Sequence, residues 1–297
     1  MLPSFSRASR ALLRSQSGPA AGRALSTLPV GPETRIQSEL QRVLLIRRLR
    51  LPRLGLSALR CRCGGVLDRR GDHRAACATA GVLHPRAKPL ERALARVCRE
   101  AGARVATNVF VRDLNLEGVS PHDGRQIEVV ANGLPLWNGQ QLALDATIVS
   151  PVKRNGSSQP GAHCTDGKAL RTARRRKEVT YHELLDAARC RLVVFAVEVG
   201  GRWSAEAIQL VRLLAQAKAR ASPVLLRRSA ELAYYTRWTG VLAVAAHSAI
   251  AASLVEGDLS CLDGVDSEIP ELHEVLAETR AADAPAVSRL PPRRQEE

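Results

Sequence analysis

The sequence predicts an α+β fold, a mixed sheet flanked by helices. Three observations predict it. Three β-like runs follow one another between residues 104 and 151, a helical stretch separates them from a fourth run, and long Ala/Leu-rich helical stretches come after it. A chain of 297 residues that is 45% hydrophobic can bury a substantial core, and its length suits one large domain or two small ones.

Residues 1–60 read as a basic N-terminal arm or linker, irregular at first and then helical through ELQRVLLIRRLRL, with Pro52 as the stop. A Cys/His cluster occupies 61–83. In KPLERALARVCREAG, Leu90, Leu94, Val97 and Ala101 fall on one helical face and Gly102 closes the end. The runs RVATNVFVRDLN, RQIEVVANGLPL and QLALDATIVSP read as strands, with turns at Asn132-Gly133 and Asn138-Gly139. A polar loop, KRNGSSQPGAHCTDG, leads into the helix ALRTARRRKEVTYHELLDAA, and RLVVFAVEVGG is another buried strand. These elements form a unit over 84–205. Two helices separated by Pro223 make a helical extension over 206–255. Within it, VLAVAAHSAIAASL is too short and too Ala-rich for a membrane span and is interrupted by His247. Residues 256–297 hold 11 acids against 4 bases with several prolines, which reads as an acidic disordered tail.

The formal charge of +15 is unevenly placed: residues 1–110 hold 21 Lys/Arg against 6 Asp/Glu, and the remainder is balanced at 23 against 23. Such an arm suits a polyanion, nucleic acid ahead of an anionic membrane, and it also serves solubility. Arg greatly outnumbers Lys there, which favours planar bidentate contacts to phosphate, although a GC-rich genome produces the same bias. Aromatic residues are only 3%, so salt-sensitive phosphate contact explains affinity better than base stacking does. Seven cysteines, an odd number, argue against a disulfide framework and for a reducing compartment. The first 32 residues contain no acid and carry Arg7, Arg10, Arg14 and Arg23, the composition of a mitochondrial transit peptide.

Three runs that should be buried each carry one acid: Glu128, Asp145 and Glu198. Strand alternation puts Glu128 with Val130, Asp145 with Thr147, and Glu198 with Ala196. One such acid fits a strand end or edge in contact with water. Three on neighbouring strands repel one another unless a cation lies between them, and oxygen ligands suit Mg²⁺ or Mn²⁺. Downstream, Lys177 and Tyr181 lie four residues apart on one helix, hence on one face. A helix packed beside the Asp145 and Glu198 strands would bring a cation to the carboxylates, although Arg174–Lys177 also reads as a solvated basic face.

Cys61-x-Cys63, His73 and Cys77 offer three sulfur ligands and one imidazole, a set suited to tetrahedral Zn²⁺. C-x-C is less usual than C-x-x-C, and spacing alone leaves free buried thiols equally open. Gly64-Gly65, and Asp68 with Gly71, supply the turns such a site needs. Cys98, Cys164, Cys190 and Cys261 lack companions in the sequence.

Taken together, CRCGGVLDRRGDHRAAC, PLERALARVCREAGARV, GRQIEVVANGLPL with LALDATIVSP, RRRKEVTY and VEVGGRWS resemble the C-terminal part of non-LTR retrotransposon polyproteins. There a Cys/His finger leads into a restriction-enzyme-like endonuclease of the PD-(D/E)xK type. The resemblance runs in order over roughly residues 10–255. It implies a restriction-endonuclease-like sheet domain, a structural zinc at Cys61, Cys63, His73 and Cys77, and a magnesium (or manganese) site at Glu128 and Asp145. Lys177 would steer the nucleophile or stabilise charge. The family's Pro-Asp pair falls on Ile127-Glu128, a departure that keeps ligation only if the backbone yields, because Glu is one methylene longer. Thr147 stands where related nucleases keep a lysine, and Tyr181 matches the tyrosine after the displaced lysine. Glu198 is a further candidate, and so is Glu91, which reads equally as surface charge.

The resemblance thus implies a metal-dependent endonuclease that hydrolyses a phosphodiester to nick DNA for primed reverse transcription, or an inactive nucleic-acid-binding remnant of the same element. No polymerase motif of the YxDD kind is present. Arg60, Arg62, Arg69, Arg70, Arg74, Arg174 and Arg175 are the expected nucleic-acid contacts, with DNA and element RNA as partners and no membrane. The nucleus is the expected compartment, because SGPAAGRALSTLP also resembles the family's segment before the finger; the mitochondrion is the alternative.

Overall fold

The computed structural model describes residues 5–52, 60–255 and 270–283. In chain order its helices are α1 (Arg7–Ser15), α2 (Arg23–Ser26), α3 (Ser38–Arg48), α4 (Asp72–Ala76), α5 (Leu83–Glu100), α6 (Lys168–Thr180), α7 (Ala205–Ala219), α8 (Arg227–Val255) and α9 (Leu272–Asp283). The strands are β1 (Arg104–Phe110), β2 (Gln126–Asn132), β3 (Gln141–Val149) and β4 (Cys190–Glu198), and they lie side by side in that order. The fold is α+β, with the sheet flanked by helices. β1, β2 and β3 pair antiparallel, β1 and β2 through the long 111–125 connection and β2 and β3 through 133–140, where Gly133 has φ 83° and Gly139 φ 77°. β3 and β4 pair parallel, which requires a crossover, and the 153–167 loop with α6 supplies it.

Alternation along each strand sends its residues to two cores. On one face Leu142, Leu144, Val193 and Phe195 meet Leu90 and Leu94 of α5, Leu210 and Leu214 of α7, and Trp238 and Leu242 of α8. On the other, Ala143, Leu192, Val194 and Ala196 meet Leu170 of α6, Tyr181 and Leu184. α8 is long and apolar enough to cross a membrane, yet 89% of its most apolar window is buried within this fold. It is the central helix of the larger core.

Two expectations are corrected. Residues 5–52 are not a loose arm: Leu12, Ala24, Leu40, Val43 and Leu44 belong to the larger core. Ser15 accepts from the backbone N–H of Gly200 through its Oγ (2.9 Å) and from that of Arg202 through its carbonyl (3.0 Å). Nor is the acidic tail without structure throughout. Leu272, Val275 and Leu276 form a helical stripe against α8, with Val275 fully buried, and Glu278 binds Arg237 through both oxygens at 2.7 and 2.9 Å. The acid count hid that apolar i, i+3, i+4 spacing. Residues 256–269, with Cys261, and 284–297 lie outside the described residues.

Candidate functional site

The β2–β3 ladder pairs Ala131 with Leu142, Val130 with Ala143, and Val129 with Leu144, and there it ends. The next residues in the same register are Glu128 and Asp145. On the other side of β2 the β1 register skips the rung of Asn108 and Glu128, and Asn108 sits in the left-handed region at φ 54°. Asn tolerates that conformation better than a branched residue would. The sheet therefore opens on both sides of Glu128, and two carboxylates face each other in the gap.

Asp145 is 0% exposed and Glu128 largely buried. Burial pushes the Glu128 carboxyl up to about 8, and repulsion from Asp145 adds to this while Lys177 opposes it. Asp145 is also raised by burial, against the pull of Lys177. Lys177 Nζ is in direct ion-pair contact with Asp145 Oδ2. Beyond that ion pair and the mutual interaction of the two carboxyls, the Asp145 oxygens and Glu128 Oε2 are buried and have no further partner among the described residues. With Glu128 protonated the one ammonium balances Asp145, and only when both acids ionise does the pair lack one positive charge.

The sequence delivers Lys177 by spacing. Leu170 and Ala173 are the buried stripe of α6, and Lys177 continues it toward the sheet. Tyr181, just past the helix end, is 5% exposed and donates its hydroxyl to the Gln126 carbonyl at 2.8 Å. That bond ties the end of α6 to the strand carrying Glu128, and the Tyr181 ring lies 5.7 Å from Lys177 Nζ. Arg125 reinforces the tie by pairing with both Asp123 and Glu183 at 2.5 Å. Thr147 lies two residues beyond Asp145 on the same face and is partly exposed. Glu128 also lines a cleft of about 750 Å³ between α5, β1 and α8, together with Glu91, Lys88, Asn108 and Arg92. Glu91 is buried, pairs with Lys88 at 2.9 Å, and adds repulsion at Glu128. It is thus drawn into the site and is not surface charge.

Glu198 is not part of this group. It lies opposite Val149, four residues beyond Asp145 and hence ~13 Å along the strand. It is buried beside Arg202, Ser15 and Asp166, and burial holds it up at about 7 against the opposing Arg202 and Ser15. The strand alternation is as expected; the distance along the strand separates it. Asn108, by contrast, has no recognisable mark in the sequence, and only the skipped rung reveals it.

Cys61, Cys63, His73 and Cys77 converge so that their ligand atoms all lie within 4.8 Å of one another, a donor set that fits a tetrahedral metal such as zinc. Cys61 and Cys77 sulfurs are 3.8 Å apart, and Cys63 Sγ is 3.3 Å from His73 Nε2. Gly65 is required there, since a Cβ would come within 2.7 Å of His73. Asp68 braces the far side, accepting from the N–H groups of Arg70, Asp72 and His73 at 2.9, 3.1 and 2.6 Å. Burial raises the Cys77 thiol, but the neighbouring Cys63 and Cys61 thiols and the N–H groups of Ala80 and Thr79 bring it down to about 7, toward the thiolate a metal requires.

The basic residues divide into two groups. Among the described residues, Arg62, Arg69, Arg70 and Arg175 are exposed with no side-chain bond, and Arg60 is exposed with one donation to Gly64. Arg74 instead donates to the Ser253 carbonyl at 2.6 Å, and Arg174 pairs with Glu206 at 3.1 Å. Neither of the last two is free to grip a phosphate. No protein-family model matches this chain, and no curated protein matches it.

Proposed function

We propose that the chain is a divalent-metal-dependent DNA endonuclease domain of the restriction-endonuclease-like kind, derived from a non-LTR retrotransposon. The observation that carries this reading is the facing pair of a buried Asp145 and a half-buried Glu128 at the parting of β2 and β3, which lacks one positive charge once both are ionised. A divalent cation held by the two carboxylates would supply the missing charge, lower the pKa of a bound water and polarise a scissile phosphate. Glu128 and Asp145 set the position of that charge within the sheet. Lys177, brought in by α6, places an ammonium where a phosphate or an attacking water needs one. Glu91 closes the cleft side of the site, and Tyr181 holds α6 in place. Exposed Arg62, Arg69, Arg70 and Arg175 offer phosphate contacts.

The inactive, nucleic-acid-binding reading draws on one specific observation, the direct contact of Lys177 with Asp145, which already neutralises half of the pair. A supercoiled-plasmid nicking assay with Mg²⁺ or Mn²⁺ separates the two. The wild type is expected to convert plasmid to the open circle, and Asp145→Ala to be slower by on the order of 10² or more. Equal rates would leave only binding.

A further inference from the structure

Arg86 is 1% exposed and has no carboxylate partner among the described residues. Desolvation draws its guanidinium down to about 9, and nearby Arg47 draws it in the same direction. Its two terminal nitrogens point to different parts of the molecule. One donates to the Ala75 carbonyl at 3.0 Å and the other to the Ile148 carbonyl at 3.0 Å. Ala75 lies in α4, two residues after His73 and two before Cys77. Ile148 lies in β3, three residues after Asp145. A planar fork that must satisfy both carbonyls in a dry site holds them at one separation.

The Cys/His cluster is fastened elsewhere too. Asp72 pairs with Arg50 at 2.8 Å and with Arg47 at 3.3 Å, and Arg47 also donates to the Arg70 carbonyl at 2.8 Å. Leu254 of α8 lies 3.0 Å from where a Cβ on Gly71 would stand. Of these ties, the guanidinium of Arg86 is the one that reaches the sheet.

We infer that Arg86 couples metal occupancy of the Cys/His site to the setting of the β3 segment beyond Asp145. With metal bound, α4 is fixed between two ligands, Ala75 presents its carbonyl, and Arg86 clamps Ile148. With metal removed, α4 loses that constraint, Arg86 loses one acceptor, and the end of β3 loosens. Arg86 is a positioning residue here. The consequence for catalysis rests on the reading of Asp145 as a cation ligand, but the coupling itself does not.

Hydrogen exchange on the full chain tests it without any cleavage readout. With zinc bound, amides of residues 145–149 are expected to be protected, and chelation should speed their exchange about tenfold or more while those of β1 change little. Arg86→Gln should reproduce that loosening with zinc still bound, and chelation should then add nothing further at 145–149. Arg86→Lys, which keeps the charge but not the fork, should behave as Arg86→Gln does. By reciprocity, Arg86→Gln should weaken binding of Co²⁺, read from its visible absorption, by the same factor. Asp145→Ala should retain the whole pattern even where nicking is lost, so failure of the nuclease reading is distinguishable. The inference is overturned if chelation frees residues 61–77 while 145–149 stay protected. It is also overturned if the effect of chelation at 145–149 is undiminished in Arg86→Gln.

Discussion

Glu128 and Asp145 occupy one unmade rung of the sheet, and their titration has a definite sign. Both carboxyls are raised in the folded chain, Glu128 to about 8, so between the ordinary carboxylate range and about 8 the folded state holds more protons than the unfolded one. The contribution of this pair to stability falls as pH rises through that window, while buried His247, held down at about 4, contributes the opposite sign up to the ordinary imidazole range. Without divalent cations, the thermal midpoint should decrease from pH 5 to pH 8, and Glu128→Gln should flatten the slope. Glu198, held up at about 7, leaves a residual slope of the same sign. A pH slope that Glu128→Gln leaves unchanged would contradict the burial of this pair. At this scale the sequence was partly legible. A carboxylate inside LALDATIV is costly enough to stand out, and the α6 spacing leads from Leu170 and Ala173 to Lys177. Glu198 looked equivalent because alternation assigns a face and carries no information on how far along the strand a residue sits. Asn108 was invisible because a skipped rung depends on the partner strand.

The helices and strands hold the site through tertiary ties. Arg237 of α8 meets Glu100 of α5 at 3.3 Å, Glu33 at 2.9 Å and Glu278 of α9, while Trp238 donates to Glu100 at 2.7 Å. Glu100 is 3% exposed and also pairs with Arg96 at 2.9 Å, so removing Arg237 takes one of its two cations. Arg237→Ala should therefore cost about 1–3 kcal/mol in urea denaturation. It should also expose α9 to limited proteolysis, since that helix loses its ion pair to α8. A loss of less than about 1 kcal/mol would mean that Glu100 is satisfied without Arg237. The elements themselves were legible. Turn residues at 132–133 and 138–139, Gly102 after α5, and the 3.6-residue periodicity are all local. The helix within the acidic tail was missed because net charge over 42 residues, 256–297, outweighed a three-residue apolar stripe.

The molecule as a whole uses its charge differently from what the totals suggest. Much of the basic first third faces inward: Arg48 donates to the Gln16 and Ala21 carbonyls at 3.0 and 3.1 Å, Arg23 to Thr236 at 2.7 Å, and Arg86 bridges the Cys/His cluster and the sheet. A charge count cannot distinguish an arginine that binds carbonyls from one that awaits phosphate, and here both kinds occur. The Cys/His cluster, the N-terminal helices and the sheet are therefore joined by guanidinium groups, and Glu128 of the carboxylate pair lines the cleft between α5 and α8. The most direct test of the cation site is calorimetric titration of the zinc-loaded chain with Mn²⁺ at pH 7 in two buffers of different ionisation enthalpy. One Mn²⁺ per chain and release of about one proton are expected, because Glu128 must give up its proton to bind, with both lost in Asp145→Asn. Identical titrations of wild type and Asp145→Asn, with no proton released, would contradict the cation site.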